Sequence, residues 1–333
     1  MAAPMTHRER VEAALKGQSV DRPPISAWRH FYSRENTPEE LAEAMLRFQR
    51  EHEWDFMKVN PRASYHVEDW GVEMRFSDSD AEGPSVERWP VKRAEDWDAV
   101  KPLDVTRGVL GEQLEALRRI AAGLAGQVPC LMTVFTPLSI AERLAGSPDA
   151  MLRYLRHDTR RVQDALQRIT DTFIEFGREC LAIGASGTFF ATTGWATRDA
   201  WSEAEYREVA RPYDLRFLQA LDGAEFHLLH VCRSNNMLAA FADYPVAALN
   251  WDSQDQTNPS LAEGARLTGK CVVGGVSHRT LLGEGTPQQV AAQVQEHIGT
   301  MTGSRWMLGT GCTYAPAVPE ANVRALRAAV DPG

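Results

Sequence analysis

The sequence predicts an α/β protein of the (β/α)8 TIM-barrel class. Three observations predict it: eight short apolar runs rich in β-formers, a longer stretch with helical spacing after each, and a length of 333 residues. Parallel strands need crossover connections, usually helices, so a regular alternation of the two periods implies a parallel sheet. Eight strands close such a sheet into a barrel, which typically takes about 250 residues plus insertions. One domain over 1–333 accommodates this, and no low-complexity tract or 20–50-residue repeat suggests a second.

The eight runs fall at 24–28, 55–60, 129–135, 186–191, 226–232, 247–252, 271–277 and 306–312. Before the first, Val11, Ala14 and Leu15 are spaced as one helix face, predicting an N-terminal helical extension over the closed end of the barrel. Thr37 before Pro38-Glu39-Glu40 reads as a capped helix start with proline in its first turn, as does Thr286 before Pro287. Residues 62–127 are too many for a simple connection. Their breaks at Gly71, Glu82-Gly83-Pro84 and Trp89-Pro90 predict a long insertion after strand two: a hairpin, then a helix ending near Gly123, placed to lid the site. Leu152, Leu155, Thr159, Val162, Leu166 and Ile169 recur at spacings of three or four and predict one continuous helix over 151–183.

Composition narrows the function. No run reaches the roughly 18 apolar residues of a membrane span, and the first 16 residues lack the pattern of a secretory or transit peptide, so the cytoplasm is the expected location. Five cysteines dispersed over a long chain read as reduced thiols or metal ligands rather than a disulfide framework. A net charge of −9 without a basic cluster excludes nucleic acid as the main partner and leaves small molecules or proteins.

Barrel chemistry collects where strands end. The fifth run closes on His230-Val231-Cys232, and the two-residue period of a strand turns His230 and Cys232 to one side. The eighth closes on Gly311-Cys312, three strands away around the mouth. One imidazole and two thiolates suit Zn²⁺, and three protein ligands leave the fourth tetrahedral position for substrate or water. Against this stands the ordinary fate of such residues, inert packing. Cys130 and Cys271 at strand starts and Cys180 in a helix are assigned to packing.

Trp28, Asn60, Trp195 and Tyr314 follow strand ends as candidate substrate contacts, although large aromatics there are as often packing. Asp252 and His278 follow strands six and seven. They are candidates to hold a substrate's polar tail or, for Asp252, to ligate the metal when substrate is absent; a loop-capping carboxylate is the plain alternative. Lys58 lies within a strand whose alternation points it outward, so it is left off the site.

A series of motifs carries a resemblance along nearly the whole chain. They are Arg8-Glu9-Arg10-Val11, Asp21-Arg22-Pro23-Pro24, Thr136-Pro137-Leu138, Leu144-Ala145-Gly146, Leu281-Leu282-Gly283-Glu284-Gly285-Thr286-Pro287 and Pro319-Glu320-Ala321-Asn322. In this order they resemble the uroporphyrinogen decarboxylase superfamily, and within it the zinc-dependent, cobalamin-linked methyltransferases acting on coenzyme M or similar thiols. The resemblance implies a (β/α)8 barrel, zinc on His230, Cys232 and Cys312, and methylcobalamin or another methyl-corrinoid supplied by a separate corrinoid protein. The decarboxylase branch resembles instead a metal-free pocket of arginines and an aspartate, and here the sequence departs from it. Trp28-Arg29-His30 lacks a spaced second arginine, Asn60-Pro61-Arg62 stands where the aspartate belongs, Glu142 replaces a tyrosine, Thr193-Gly194 an Asp-Ser pair, and Cys312 a late histidine.

The expected function is therefore transfer of a methyl group from a methyl-corrinoid to a zinc-bound thiol. The alternatives are a decarboxylase-like lyase on a tetrapyrrole, a non-catalytic corrinoid- or zinc-binding subunit, and, ranked lower, methyl-folate-dependent transfer to homocysteine. That last chemistry adds a glutamate ligand between the cysteines, and none of Glu263, Glu284 and Glu296 falls clearly at a strand end. A monomer or homodimer is expected.

Overall fold

The computed structural model describes residues 4–331. Ten strands run in chain order: β1 Ile25–Ser26, β2 Met57–Val59, β3 Glu73–Arg75, β4 Ser85–Arg88, β5 Cys130–Phe135, β6 Gly187–Ala191, β7 Leu228–His230, β8 Ala248–Asn250, β9 Cys271–Val276 and β10 Trp306–Thr310. Eight of them form one parallel sheet in the order β1-β10-β9-β8-β7-β6-β5-β2. Its two ends meet: the Asp55 amide donates to the Ile25 carbonyl at 2.8 Å, and the Ser26 hydroxyl donates to the Phe56 carbonyl at 2.7 Å. The result is a nearly closed (β/α)8 barrel. Every predicted run contains a strand, shorter than the run because apolar character continues into the packed turns.

The lower, N-terminal end of the barrel is capped as predicted by helix His7–Lys16, started by a Thr6–Glu9 capping box and stopped by left-handed Gly17. Val11 and Ala14 pack with Phe56, Leu131 and Phe226 in the core cluster that also holds Met307. Asp55 anchors this end. It accepts from Arg10 and Arg22 at 2.6 Å each, from His7 at 2.9 Å and from the Ile25 amide at 2.8 Å. Burial pushes its carboxyl up, but the bonds from His7 and Arg22 outweigh that and leave it below the ordinary carboxylate range. The Arg10 and Arg22 of the recognised motifs are thus structural residues.

The insertion after β2 contains the expected hairpin, β3 paired antiparallel with β4, followed by helix Gly108–Leu124. Asp80, near the hairpin tip, accepts from the Ser33 amide at 3.1 Å and its hydroxyl at 2.6 Å, which pins the tip beside the barrel mouth. One helix expectation is corrected. Residues 151–183 are not one helix: Pro148–His157 and Thr159–Ile183 are separated by Asp158, whose φ of −133° and ψ of 34° leave the helical region. Aspartate tolerates this break, and apolar spacing alone does not reveal it because the same face stays buried on both sides. Among the described residues no helix is long and apolar enough to cross a membrane.

Candidate metal centre at the barrel mouth

β7 ends on His230, and β10 ends on Thr310, so Cys232 and Cys312 each lie two residues beyond a strand. The chain stays extended there because the Val231 amide donates to the Asn250 carbonyl at 2.8 Å and the Gly311 amide to the Val276 carbonyl at 3.1 Å. Gly311 is required for the close approach of these turns: a Cβ on it would stand 2.7 Å from the Cα of Asp252. The left-handed Arg233, at φ 76°, then turns the chain away immediately after Cys232.

These turns bring one ligand atom each from His230, Cys232 and Cys312 within 4.8 Å of one another. His230 Nε2 is 3.5 Å from the Cys312 sulfur. On the other side of the ring, Nδ1 lies 2.6 Å from Asn250 Oδ1. The Asn250 amide has one orientation, because its nitrogen donates to the Val273 carbonyl at 2.8 Å and the Thr310 carbonyl at 3.0 Å. Its oxygen therefore accepts the Nδ1 proton, and Nε2 presents a lone pair to the two sulfurs. This is the tautomer a metal requires.

The two thiols polarise each other. The Cys232 thiol donates to Cys312, holding Cys312 down to about 7 and, together with burial, pushing Cys232 up to about 12. Cys312 is thus the sulfur that ionises first, and a cation that displaces the remaining proton completes an N, S, S donor set. Donor chemistry and spacing fit a tetrahedral Zn²⁺ with one position left open.

A cavity of about 230 Å³ opens beside the cluster, lined by Trp28, Asn60, Phe189, Arg143 and Arg233 together with Lys58. A wider cleft of about 670 Å³ adjoins it at Cys312, bounded by His30, Tyr32, His278, Tyr314 and Gly83 of the hairpin segment. Asp252 and His278 line a third space of about 130 Å³ against the same three ligands. His278 Nδ1 is 3.5 Å from Asp252 Oδ2 and makes no hydrogen bond, and burial lowers this imidazole to about 4.

Of the residues singled out from sequence, Trp28, Asn60, Asp252, His278 and Tyr314 thus surround the cluster. Trp195 does not. It is buried edge-on against Trp201, with ring centroids 5.1 Å apart, and lines none of these three spaces, so the structure gives it a packing role.

Lys58 requires a correction in the opposite direction. It is 6% exposed and points inward, donating to Asn60 Oδ1. The missed signal was the two-residue period itself, which puts Lys58 on the same side as Asn60. Asn250 was missed as well; its link to His230 comes from the β7–β8 register, in which these two residues stand opposite each other. Cys130, Cys180 and Cys271 are buried away from the cluster.

Fold and site together define a (β/α)8 barrel whose C-terminal mouth carries an imidazole–dithiol donor set. The chain belongs to the uroporphyrinogen decarboxylase (URO-D) family, whose model matches residues 6–332. It is 24% identical over 242 residues to the methylcobamide:CoM methyltransferase MtbA of Methanosarcina mazei, covering 72% of this chain and 69% of that one. It is also 23% identical to the methylcobamide:CoM methyltransferase MtaA of Methanosarcina barkeri, over 98% of each chain. The solved structure of a methyltransferase from Methanosarcina mazei shares the fold, with a TM-score of 0.85 at 24% identity and 98% coverage of both chains.

Proposed function

We propose that this chain is a one-domain cytoplasmic enzyme that transfers a methyl group from a methyl-corrinoid, carried by a separate protein, to a thiol acceptor held at His230, Cys232 and Cys312. The observation that carries the reading is the donor set itself: two sulfurs and a correctly protonated imidazole converge at an open barrel mouth. The names of the relatives, methylcobamide:CoM methyltransferases, agree with it.

Zn²⁺ at this site would supply Lewis acidity, lowering the pKa of an acceptor thiol so that it is present as a thiolate at neutral pH. The rest is done by the chain. His230, oriented by Asn250, and the two cysteines hold the sulfur position. Trp28 and Phe189 give the cavity an apolar wall that excludes water from the nucleophile, while Arg143 and Arg233 add positive charge that favours an acceptor with an acidic tail. The wider cleft, bordered by Tyr314 and the hairpin segment, reaches Cys312 and would admit the methyl donor to the acceptor sulfur.

A decarboxylase reading is disfavoured because the position expected for an anionic residue is Asn60, whose oxygen accepts from Lys58 and whose nitrogen is 3.0 Å from His30 Nδ1. The test is metal content of freshly purified protein, followed by X-ray absorption with added thiol. The reading expects one zinc per chain and one additional sulfur ligand on thiol addition. Protein that is metal-free and still active on a tetrapyrrole would overturn it.

A further inference from the structure

The described residues contain a buried ammonium with no carboxylate within ion-pair distance. Lys58 is 6% exposed, its hydrogen bond goes to the neutral Asn60 amide, and its Nζ sits 4.8 Å from the centroid of the Phe189 ring. That ring in turn stacks on His230, with centroids 5.5 Å apart and planes inclined by 26°. Lys58 therefore occupies the same small cavity as the donor cluster, beside the ring that packs on one of its members. Burying a cation without an anion is costly and rarely tolerated without a compensating role. Burial accordingly pulls Lys58 down to about 7, and the anions that oppose the shift are the Cys312 sulfur and, after it, Glu35.

Charge arithmetic at the mouth gives the missing partner. Two cysteine thiolates, one neutral imidazole and a divalent metal sum to zero, and an acceptor thiolate brings the total to minus one. An ammonium beside the cluster offsets that added negative charge, which is present only in the loaded state. We propose that Lys58 is the counter-cation of the acceptor thiolate, a positioning residue that makes the site prefer an anionic sulfur over a neutral fourth ligand. This rests on the thiol-acceptor reading above. Its role differs from recognition of the acceptor's tail, for which Arg143 and Arg233 are available in the same cavity.

The experiment compares two ligands on cobalt(II)-loaded protein, whose visible absorption reports thiolate ligation. One is 2-mercaptoethanol, whose tail is uncharged; the other is imidazole, a neutral ligand. Lys58→Met is expected to retain full metal content and to bind imidazole within about twofold of wild type. It should bind the thiolate at least tenfold more weakly, with the pH midpoint of thiolate loading moved upward. Lys58→Gln, which keeps a donor for Asn60 but not the charge, should behave like Lys58→Met, and Lys58→Arg should recover most of the thiolate affinity. Equal weakening of both ligands, or of neither, overturns the inference while leaving the thiol-acceptor reading standing. Failure of the wild-type protein to take 2-mercaptoethanol as a sulfur ligand overturns that reading, and this inference with it.

Discussion

The two ends of the barrel treat buried charge in opposite ways. At the lower end Asp55 is surrounded by His7, Arg10 and Arg22 and by the Ile25 amide, so both its oxygens are occupied and its charge is balanced. At the mouth Lys58 has a neutral amide for a partner, His278 Nδ1 has none, and two thiols share what one proton allows. A satisfied network rigidifies and stabilises; an unsatisfied one is tolerated where a ligand completes it. The contrast separates residues kept for stability from residues kept for chemistry, although both sets lie on or beside the same strands. It also explains why motifs at both ends accompany the family resemblance for different reasons.

On this division the largest effect on stability belongs to the lower end. Asp55→Asn leaves Arg10 and Arg22 without their shared counter-charge and should cost roughly 3 kcal/mol in denaturant unfolding, with metal stoichiometry of the folded protein unchanged. The pH dependence follows from the lowered folded-state pKa of Asp55. Its stabilisation is in place above the ordinary carboxyl pKa and is lost as pH falls through the lowered folded-state value. The variant's stability should therefore vary less with pH over that acidic window. An equal loss of metal in Asp55→Asn would erase the distinction between the two ends.

At the mouth the order reverses. Cys312→Ala removes a ligand at a partly buried position and leaves only a small gap there, so it should weaken metal binding by more than about 100-fold, beyond what loss of an outer-shell partner produces. Its melting temperature in chelator should stay close to that of wild type. Cys180→Ala, on the buried face of helix Thr159–Ile183, should do the opposite, lowering stability and retaining metal. Metal analysis and thermal melts on the two variants decide the matter, and equal retention in both would remove the cluster as a metal site.

How much of this was legible in the sequence follows from the range of the interactions. Local periodicity sufficed for the strands, for the shared side of His230 and Cys232 and for the helix over the closed end, because each depends on neighbours a few residues apart. The number of strands placed Cys312 near them, since closure puts the fifth and eighth strands on one rim. Lys58 was readable from the same period as Asn60, but an apolar run buried on both faces hides which side is inward. The break at Asp158 costs no change in apolar spacing. Asn250 was beyond reach, because its importance lies in standing opposite His230 across two strands, a relation set by sheet register.

Asn250 gives the sharpest intermediate test. Asn250→Ala removes the acceptor of the His230 Nδ1 proton and should weaken metal binding about 10- to 100-fold, the usual range for an outer-shell partner. It should also cost some stability, as the Val273 and Thr310 carbonyls lose their donors. That places Asn250 between the two ends in character, structural toward the sheet and functional toward the ligand. Trp195→Phe should have the smallest effect at the site. The indole is 2% exposed and packs on Trp201 outside the spaces that surround the cluster. Its replacement by a smaller ring should cost about 1 kcal/mol of stability by lost packing, while thiol affinity measured by titration stays within about twofold. Trp28→Phe, on the cavity wall against Phe189, removes comparable volume where the acceptor would lie and should change thiol affinity more than Trp195→Phe does. The reverse ranking would mean that the acceptor reaches past the described cavity toward Trp195, beyond the end of β6.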